Sequence, residues 1–366
     1  MKGDRPLIVI SGGGTGGPST APLALASAFR HLRADASFLF VGNDPVLEKR
    51  LFGETLLALR ADYLSVPAGK WRRYFSFRNF SDLFNILSAF IRVYRVFRHR
   101  QPALIVSAGS FASVPVVWAG KLCGAKVMIH QQDLRPGLAN RLMSPFADKV
   151  SVSFSKSLGD YGAKARLIGN PSQASEIGEE EKRAAREKYS IVSGRPFILV
   201  TGGGSGALGL NKMIFEALPN LPRSWQILHL TGTGKGLGAP GREGYQVIEN
   251  LSHGDFSALL ASADLVISRA GLGALTELSL FARPTVLIPM PGSHQEENAA
   301  FFVSQRAAEK VEEGEEPAAL AGLLIRLMED SMARRELSAK IAALMPRDAA
   351  EKGAEMMDEL TKQYGY

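Results

Sequence analysis

LIVISGGGTGG at residues 7–17 and FILVTGGGSGA at residues 197–207 share one pattern. Each is a strand-sized apolar run that breaks into glycines and leads into a stretch of helical composition. A strand turning through glycines into a helix presents bare backbone N–H groups and the positive helix end to an anion. Gly12, Gly14 and Gly17 fit the GxGxxG spacing, and Gly202, Gly204 and Ala207 fit GxGxxA. For one such loop, close strand-on-helix packing without a ligand is an equal explanation. Two of them, one in each half, favour a ligand cleft between two domains.

Outward from these loops, apolar runs alternate with helix-like segments. PLIVI, SFLFVG, ALIVSAG, KVMIHQ and KVSVSF occupy the first half; QILHLTG, LVISRAG and TVLIPMPG follow the second loop. This alternation predicts parallel sheets covered by helices on both faces, hence two doubly wound α/β domains. A chain of 366 residues also exceeds the size at which single cores stop growing. The boundary is expected at IGNP, giving domains 1–168 and 169–345, with 346–366 a helix crossing back onto the first. ALIVSAGSFASVPVVWAG (103–120) carries no charge, but its central Ser, Gly and Pro divide it into strand, loop and helix.

Hydrophobic residues at 46% and charged residues at 22% are globular proportions. Cys123 is alone, and no basic segment followed by an apolar stretch and small-residue cleavage site opens the sequence. A reducing, cytoplasmic setting is therefore expected. The net charge of +7 is uneven: residues 1–165 hold 22 Lys and Arg against 10 Asp and Glu, and the rest is net acidic. The first half should favour an anionic surface. No nucleic-acid partner is expected.

Nicotinamide binding fits poorly. FLFVGND places Gly42 and Asn43 where a ribose-binding carboxylate would end the second strand, and QILHLTGTG offers none either. Neither loop continues into the Gly-Lys-Ser/Thr of a P-loop. Beyond Ser262, LVIS delivers Arg269 and a Gly271/Gly273 turn, after which a helix carries Glu277. That carboxylate can accept two hydrogen bonds from a ribose diol, or simply complement the helix dipole. PGSHQEENAA then crowds His294, Gln295, Glu296 and Asn298 at another strand end, as recognition of sugar hydroxyls requires; His294 can equally be a helix-start residue.

GGGTGG, IHQQD followed by GLANRL, GNP, TGGGSGALGLN, SRAG with TELS and PTVLIP, and HQEENA occur in an order that resembles the MurG-type N-acetylglucosaminyltransferases. The resemblance covers nearly the whole chain and is most specific over 269–299. It implies a GT-B architecture, two Rossmann-like doubly wound domains facing across a cleft. It implies inverting transfer of N-acetylglucosamine from its UDP donor to lipid I, giving lipid II, with no cofactor and no obligatory metal. Glu277 would hold the ribose, and Gln295 and His294 the donor sugar, beside Asn298. Ser205, Gly206 and Arg269 would meet the diphosphate, and Leu251 the uracil. Gly14, Thr15, Gly16 and Gly17 would receive the acceptor's diphosphate.

The sequence also departs from that family. Pro18 stands where the first glycine loop usually ends in a histidine, Gln131 and Asp133 replace a Glu and an Asn, and no arginine follows GNP. The general base is therefore expected to be His130 or Asp133. Residues 70–100 contain eight Lys and Arg, one Asp and many aromatics. Leu83, Leu87, Phe90, Tyr94 and Phe97 share one helical face, opposite Arg92, Arg95 and His99. Domain core with a solvated face accounts for the stripe, but the lipid-linked acceptor suggests docking on the cytoplasmic membrane face through Trp71, Arg72, Arg73, Phe75 and Arg78. Two alternatives use the same donor site: another UDP-sugar enzyme, such as an epimerase or a transferase with a different acceptor, and a non-catalytic binding subunit.

Overall fold

The computed structural model describes residues 5–13, 17–67, 78–173, 177–204 and 206–365, with side chains from 84 onward in the segment opening at 78. The chain divides into two compact units, Met1–Gln173 with Pro346–Tyr366, and Ala174–Met345.

The strands of the first unit are β1 Leu7–Ser11, β2 Ser37–Gly42, β3 Asp62–Ser65, β4 Leu104–Ser107, β5 Lys126–Gln131, β6 Lys149–Val152 and β7 Ala165–Leu167. They form one parallel sheet in the order β3-β2-β1-β4-β5-β6-β7. The second unit holds β8 Phe197–Thr201, β9 Gln226–Leu230, β10 Tyr245–Ile248, β11 Leu265–Ser268, β12 Thr285–Leu287 and β13 Glu309–Lys310, ordered β10-β9-β8-β11-β12-β13. In both, the strand that enters the glycine loop is central and the order reverses beside it. Ligands of open α/β sheets bind at the carboxyl ends of the strands at this reversal. The central strands are buried on both faces, which is why they are continuous apolar runs rather than alternating ones.

Helices α1 Gly17–Leu32, α2 Pro45–Ala58, α3 Arg78–Arg100, α4 Ser113–Leu122 and α5 Leu138–Met143 belong to the first unit. The second carries α6 Glu179–Lys188, α7 Leu208–Ala217, α8 His253–Ser262, α9 Leu272–Leu280, α10 His294–Ser304, α11 Pro317–Glu329 and α12 Ser331–Leu344. Helix α13, Ala349–Tyr364, returns to the first unit. Its Ala354, Met356, Met357 and Leu360 join Leu25, Phe29, Phe38 and Ile168 in one buried cluster, and Glu359 pairs with Lys149 and Arg166.

Pro18 lies in the first turn of α1, where the absent N–H costs no helical bond. Pro22, one turn on, has no N–H to give the Pro18 carbonyl. Residues 103–120 form β4, a glycine turn and α4, and among the described residues no helix is long and apolar enough to cross a membrane. In α3 the core side is Ala89, Val93 and Phe97, with Phe90 and Tyr94 partly covered. Leu87 points outward instead, making an exposed apolar stripe with Phe84 and Ile91. The stripe expected from sequence is thus core only over its last three turns. Trp71, Arg72, Arg73 and Phe75, and the side chains of Arg78 and Leu83, lie outside what the structure describes.

Candidate active site

In the second unit the glycine loop is tied to its neighbours through backbone. Gly203 N–H donates to Thr201 Oγ1 at 3.2 Å, and Gly206 N–H to the Gly203 carbonyl at 2.9 Å. Gly206 has φ +69°, and a Cβ there would collide with the Thr231 carbonyl. The N-cap residue of the following helix, Ala207, has no side-chain oxygen to cap it, so the first N–H groups of α7 need other partners. Ser205 lies outside the described residues. Gly206→Ala should cost on the order of 3 kcal/mol, from left-handed backbone plus a clash that only backbone movement relieves. Denaturant unfolding of the variant checks this, and wild-type stability would refute the packing.

The turn after β9 is wired to that loop. His229, fully buried, receives the Tyr245 hydroxyl at Nδ1 (2.8 Å) and donates from Nε2 to Asn211 Oδ1 (3.0 Å). Burial pushes its pKa down to about 3, keeping the ring neutral. Asn211 Nδ2 in turn donates to the Thr231 and Lys235 carbonyls at 3.1 and 3.2 Å. Lys235 Nζ reaches back to the Gly206 carbonyl at 3.1 Å. Leu251 is half-buried in the turn before α8, next to Asn250, whose Nδ2 donates to Thr233 Oγ1 at 2.7 Å.

Past β11, two expected donor contacts prove to be scaffold. Arg269 is buried; its Nη1 donates to the Ile288 and Pro289 carbonyls at 3.0 Å each, and Nη2 pairs with Glu313. Its charge is paired with that carboxylate, and its Nη1 holds the end of β12. Asn298 is also buried and donates from Nδ2 to the Ala270 carbonyl at 3.1 Å, pinning the 269–271 turn to α10. Both fix the turns from which the remaining candidates project.

Glu277 is different. It lies in the second turn of α9, beyond the reach of helix-dipole complementation, so the simpler explanation of its position fails. The residue is half-buried, and among the described residues nothing hydrogen-bonds its carboxylate. Desolvation pushes its pKa up to about 7. A carboxylate held this way lacks donors, which a ribose diol supplies. Gln295, near Gly271, accepts Met290 N–H at Oε1 (3.1 Å), which closes the turn before α10. Its Nε2 donates to nothing among the described residues. His294 is exposed as the first residue of α10.

In the first unit, Gly17 is the exposed first residue of α1, while Gly14, Thr15 and Gly16 lie outside the described residues. Gly12 packs where any Cβ would strike the buried Ser19, whose Oγ accepts Gly13 N–H at 3.1 Å. His130 does not suit the role of base expected of it. It is fully buried, its Nε2 donates to Asn170 Oδ1 at 3.0 Å, and its Nδ1 accepts Ser151 Oγ–H at 3.0 Å. Both ring nitrogens are occupied, and burial lowers the pKa to about 4. Because the folded value lies below the ordinary 6.5, the stabilisation is complete above pH 6.5 and lost as pH falls through 4. The loss reaches about 3 kcal/mol at the lower end. His130→Gln should flatten that part of the stability curve; an unchanged acid slope would count against the buried neutral ring.

Asp133 is half-buried in the loop after β5. Gln131 shapes that loop: its Nε2 donates to the Asp133 and Arg135 carbonyls at 2.7 and 3.0 Å, while Oε1 accepts from Asn140 Nδ2 and the Tyr161 hydroxyl. A glutamate here could not donate to two carbonyls, so the amide suits the observed loop where the family's carboxylate would not. Sequence reasoning marked Gln131 only as a departure and missed Asn211, Glu313 and Lys235. Only Lys235 carried a signal, a lone cation bracketed by glycines directly after a strand.

Two doubly wound units, with glycine loops at both strand-order reversals and, beside the second, a carboxylate that has no partner among the described residues, have the GT-B architecture. The chain belongs to glycosyltransferase family 28, whose N-terminal domain matches residues 8–152 and whose C-terminal domain matches residues 197–353. It is 31% identical over 356 residues, 96% of this chain and 94% of the relative, to the UDP-N-acetylglucosamine-N-acetylmuramyl-(pentapeptide) pyrophosphoryl-undecaprenol N-acetylglucosamine transferase of Geobacillus kaustophilus. A Bacillus cereus protein of the same name, numbered 2, is 35% identical over 290 residues, covering 77% of this chain and 79% of its own. Among solved structures, MurG of Acinetobacter baumannii superposes with a TM-score of 0.74 at 22% identity, over 97% of this chain and 100% of that one. A UDP-GlcNAc 2-epimerase from Neisseria meningitidis bound to UDP-GlcNAc shares the fold at 12% identity, with a TM-score of 0.70 over 98% and 100% of the two chains.

Proposed function

We propose that this chain transfers N-acetylglucosamine from UDP-N-acetylglucosamine to the undecaprenyl-pyrophosphoryl-N-acetylmuramyl-pentapeptide acceptor, lipid I, with inversion, forming lipid II. The names of its relatives support both substrates. The observation that carries the donor half is Glu277, a half-buried carboxylate that has no donor among the described residues, at the second strand-order reversal. It receives the ribose hydroxyls, Gln295 Nε2 and His294 meet the sugar, Leu251 lies against the uracil, and the Gly206 loop with the start of α7 takes the diphosphate. As the acceptor hydroxyl attacks the anomeric carbon, the bond to the diphosphate breaks, UDP leaves with the electron pair, and the hydroxyl proton passes to Asp133. The Gly17 end of α1 receives the acceptor's own diphosphate.

The acceptor's lipid requires a membrane surface. The exposed Phe84, Leu87 and Ile91, with exposed Arg92 and Arg95 alongside, suit peripheral docking on an anionic cytoplasmic leaflet.

The protein should convert labelled UDP-N-acetylglucosamine and lipid I to labelled lipid II. Epimerised UDP-sugar in place of lipid II would support the epimerase reading, and donor binding without any product the non-catalytic one.

A further inference from the structure

The departing diphosphate needs a positive charge, and the residues first expected to supply one do not. Arg269 is neutralised by Glu313, and Glu313 also packs against Gly209 in the first turn of α7. An acid so placed offsets part of the helix's own attraction for an anion. After GNP this chain has Ser172 and Gln173, neither of which carries a charge.

We infer that Lys235 is the cation that binds the diphosphate of the nucleotide-sugar donor. The inference rests on the donor site proposed above and adds a ligand to it. Lys235 Nζ lies 3.1 Å from the Gly206 carbonyl, in the glycine loop that leads into α7. An ammonium gains more from a phosphate oxygen than from a neutral carbonyl such as that of Gly206. The side chain is half-exposed, and its flexible stem lets Nζ move between partners within the loop. Its backbone does not move with it. Asn211 holds the carbonyls of Thr231 and Lys235, and buried His229 holds Asn211, so the turn presents the lysine from a fixed base. Glycines with left-handed φ at 232 and 234 let the chain fold back far enough to bring residue 235 over Gly206.

The test compares binding of uridine and UDP to the whole protein and to Lys235→Gln and Lys235→Arg. Uridine reports the base and ribose contacts alone; UDP adds the diphosphate. Lys235→Gln should weaken UDP roughly 10- to 100-fold and leave uridine unchanged. Lys235→Arg, which keeps the charge, should recover most of the UDP affinity. Unchanged UDP binding in Lys235→Gln, or uridine and UDP weakening together, would overturn the inference while leaving the donor site standing. Wild-type protein that binds neither uridine nor UDP would remove the donor site itself, and the inference with it.

Discussion

Glu277→Ala should lower kcat/KM for UDP-N-acetylglucosamine by roughly 10²–10⁴-fold, since two hydrogen bonds to a charged acceptor are worth about 1.5–3 kcal/mol each. Steady-state kinetics with lipid I in excess measures this, and a loss under tenfold would show that the ribose is held elsewhere. The same residue predicts a pH dependence. In the empty protein Glu277 titrates at about 7, and hydroxyl donors favour its ionised form. The donor KM should therefore rise as pH falls below 7, and Glu277→Gln should lack that rise.

The stability effect has the opposite sense. A folded pKa raised above the ordinary 4.5 gives stability that is complete below 4.5 and lost as pH rises through 7. At pH 8 the protein carries a strained carboxylate at a cost on the order of 3 kcal/mol, which Glu277→Gln should return as a higher unfolding midpoint. Lost donor affinity together with gained stability distinguishes a ligand residue from a structural one.

Asp133→Asn should reduce kcat by roughly 10²–10⁴-fold, the usual contribution of a general base, with UDP binding unchanged. Asparagine keeps the shape and leaves the Asp133 carbonyl, the atom Gln131 holds, in place. Single-turnover transfer with saturating donor isolates the chemical step. Turnover within a few-fold of wild type would exclude Asp133 as proton acceptor. With His130 sealed between Ser151 and Asn170, the base would then have to come from another residue.

The central strands of both sheets were legible as apolar runs because burial on both faces demands them. The four that were not, β3, β7, β10 and β13, are the sheet edges. There one side of the ladder is open, so DYLS, ARL, YQVI and EK need no apolar run and leave no pattern in the sequence. A similar ambiguity misassigned site residues. Polar side chains at strand ends either bind a ligand or pin the turns around one, and composition does not separate the two. Arg269, Asn298 and His130 pin turns or strands; Glu277 has no partner among the described residues. That difference depends on Glu313, Ala270 and Asn170, which lie 44, 28 and 40 residues away in sequence. Pro18 fits the first turn of α1 without strain, since a proline there gives up no helical hydrogen bond.

A crystal structure of the protein with UDP bears most directly on the donor site. The ribose hydroxyls should lie within hydrogen-bond distance of the Glu277 carboxylate, with the diphosphate on the Gly206 loop and Lys235. A nucleotide bound away from Glu277, or in the first unit, would contradict it.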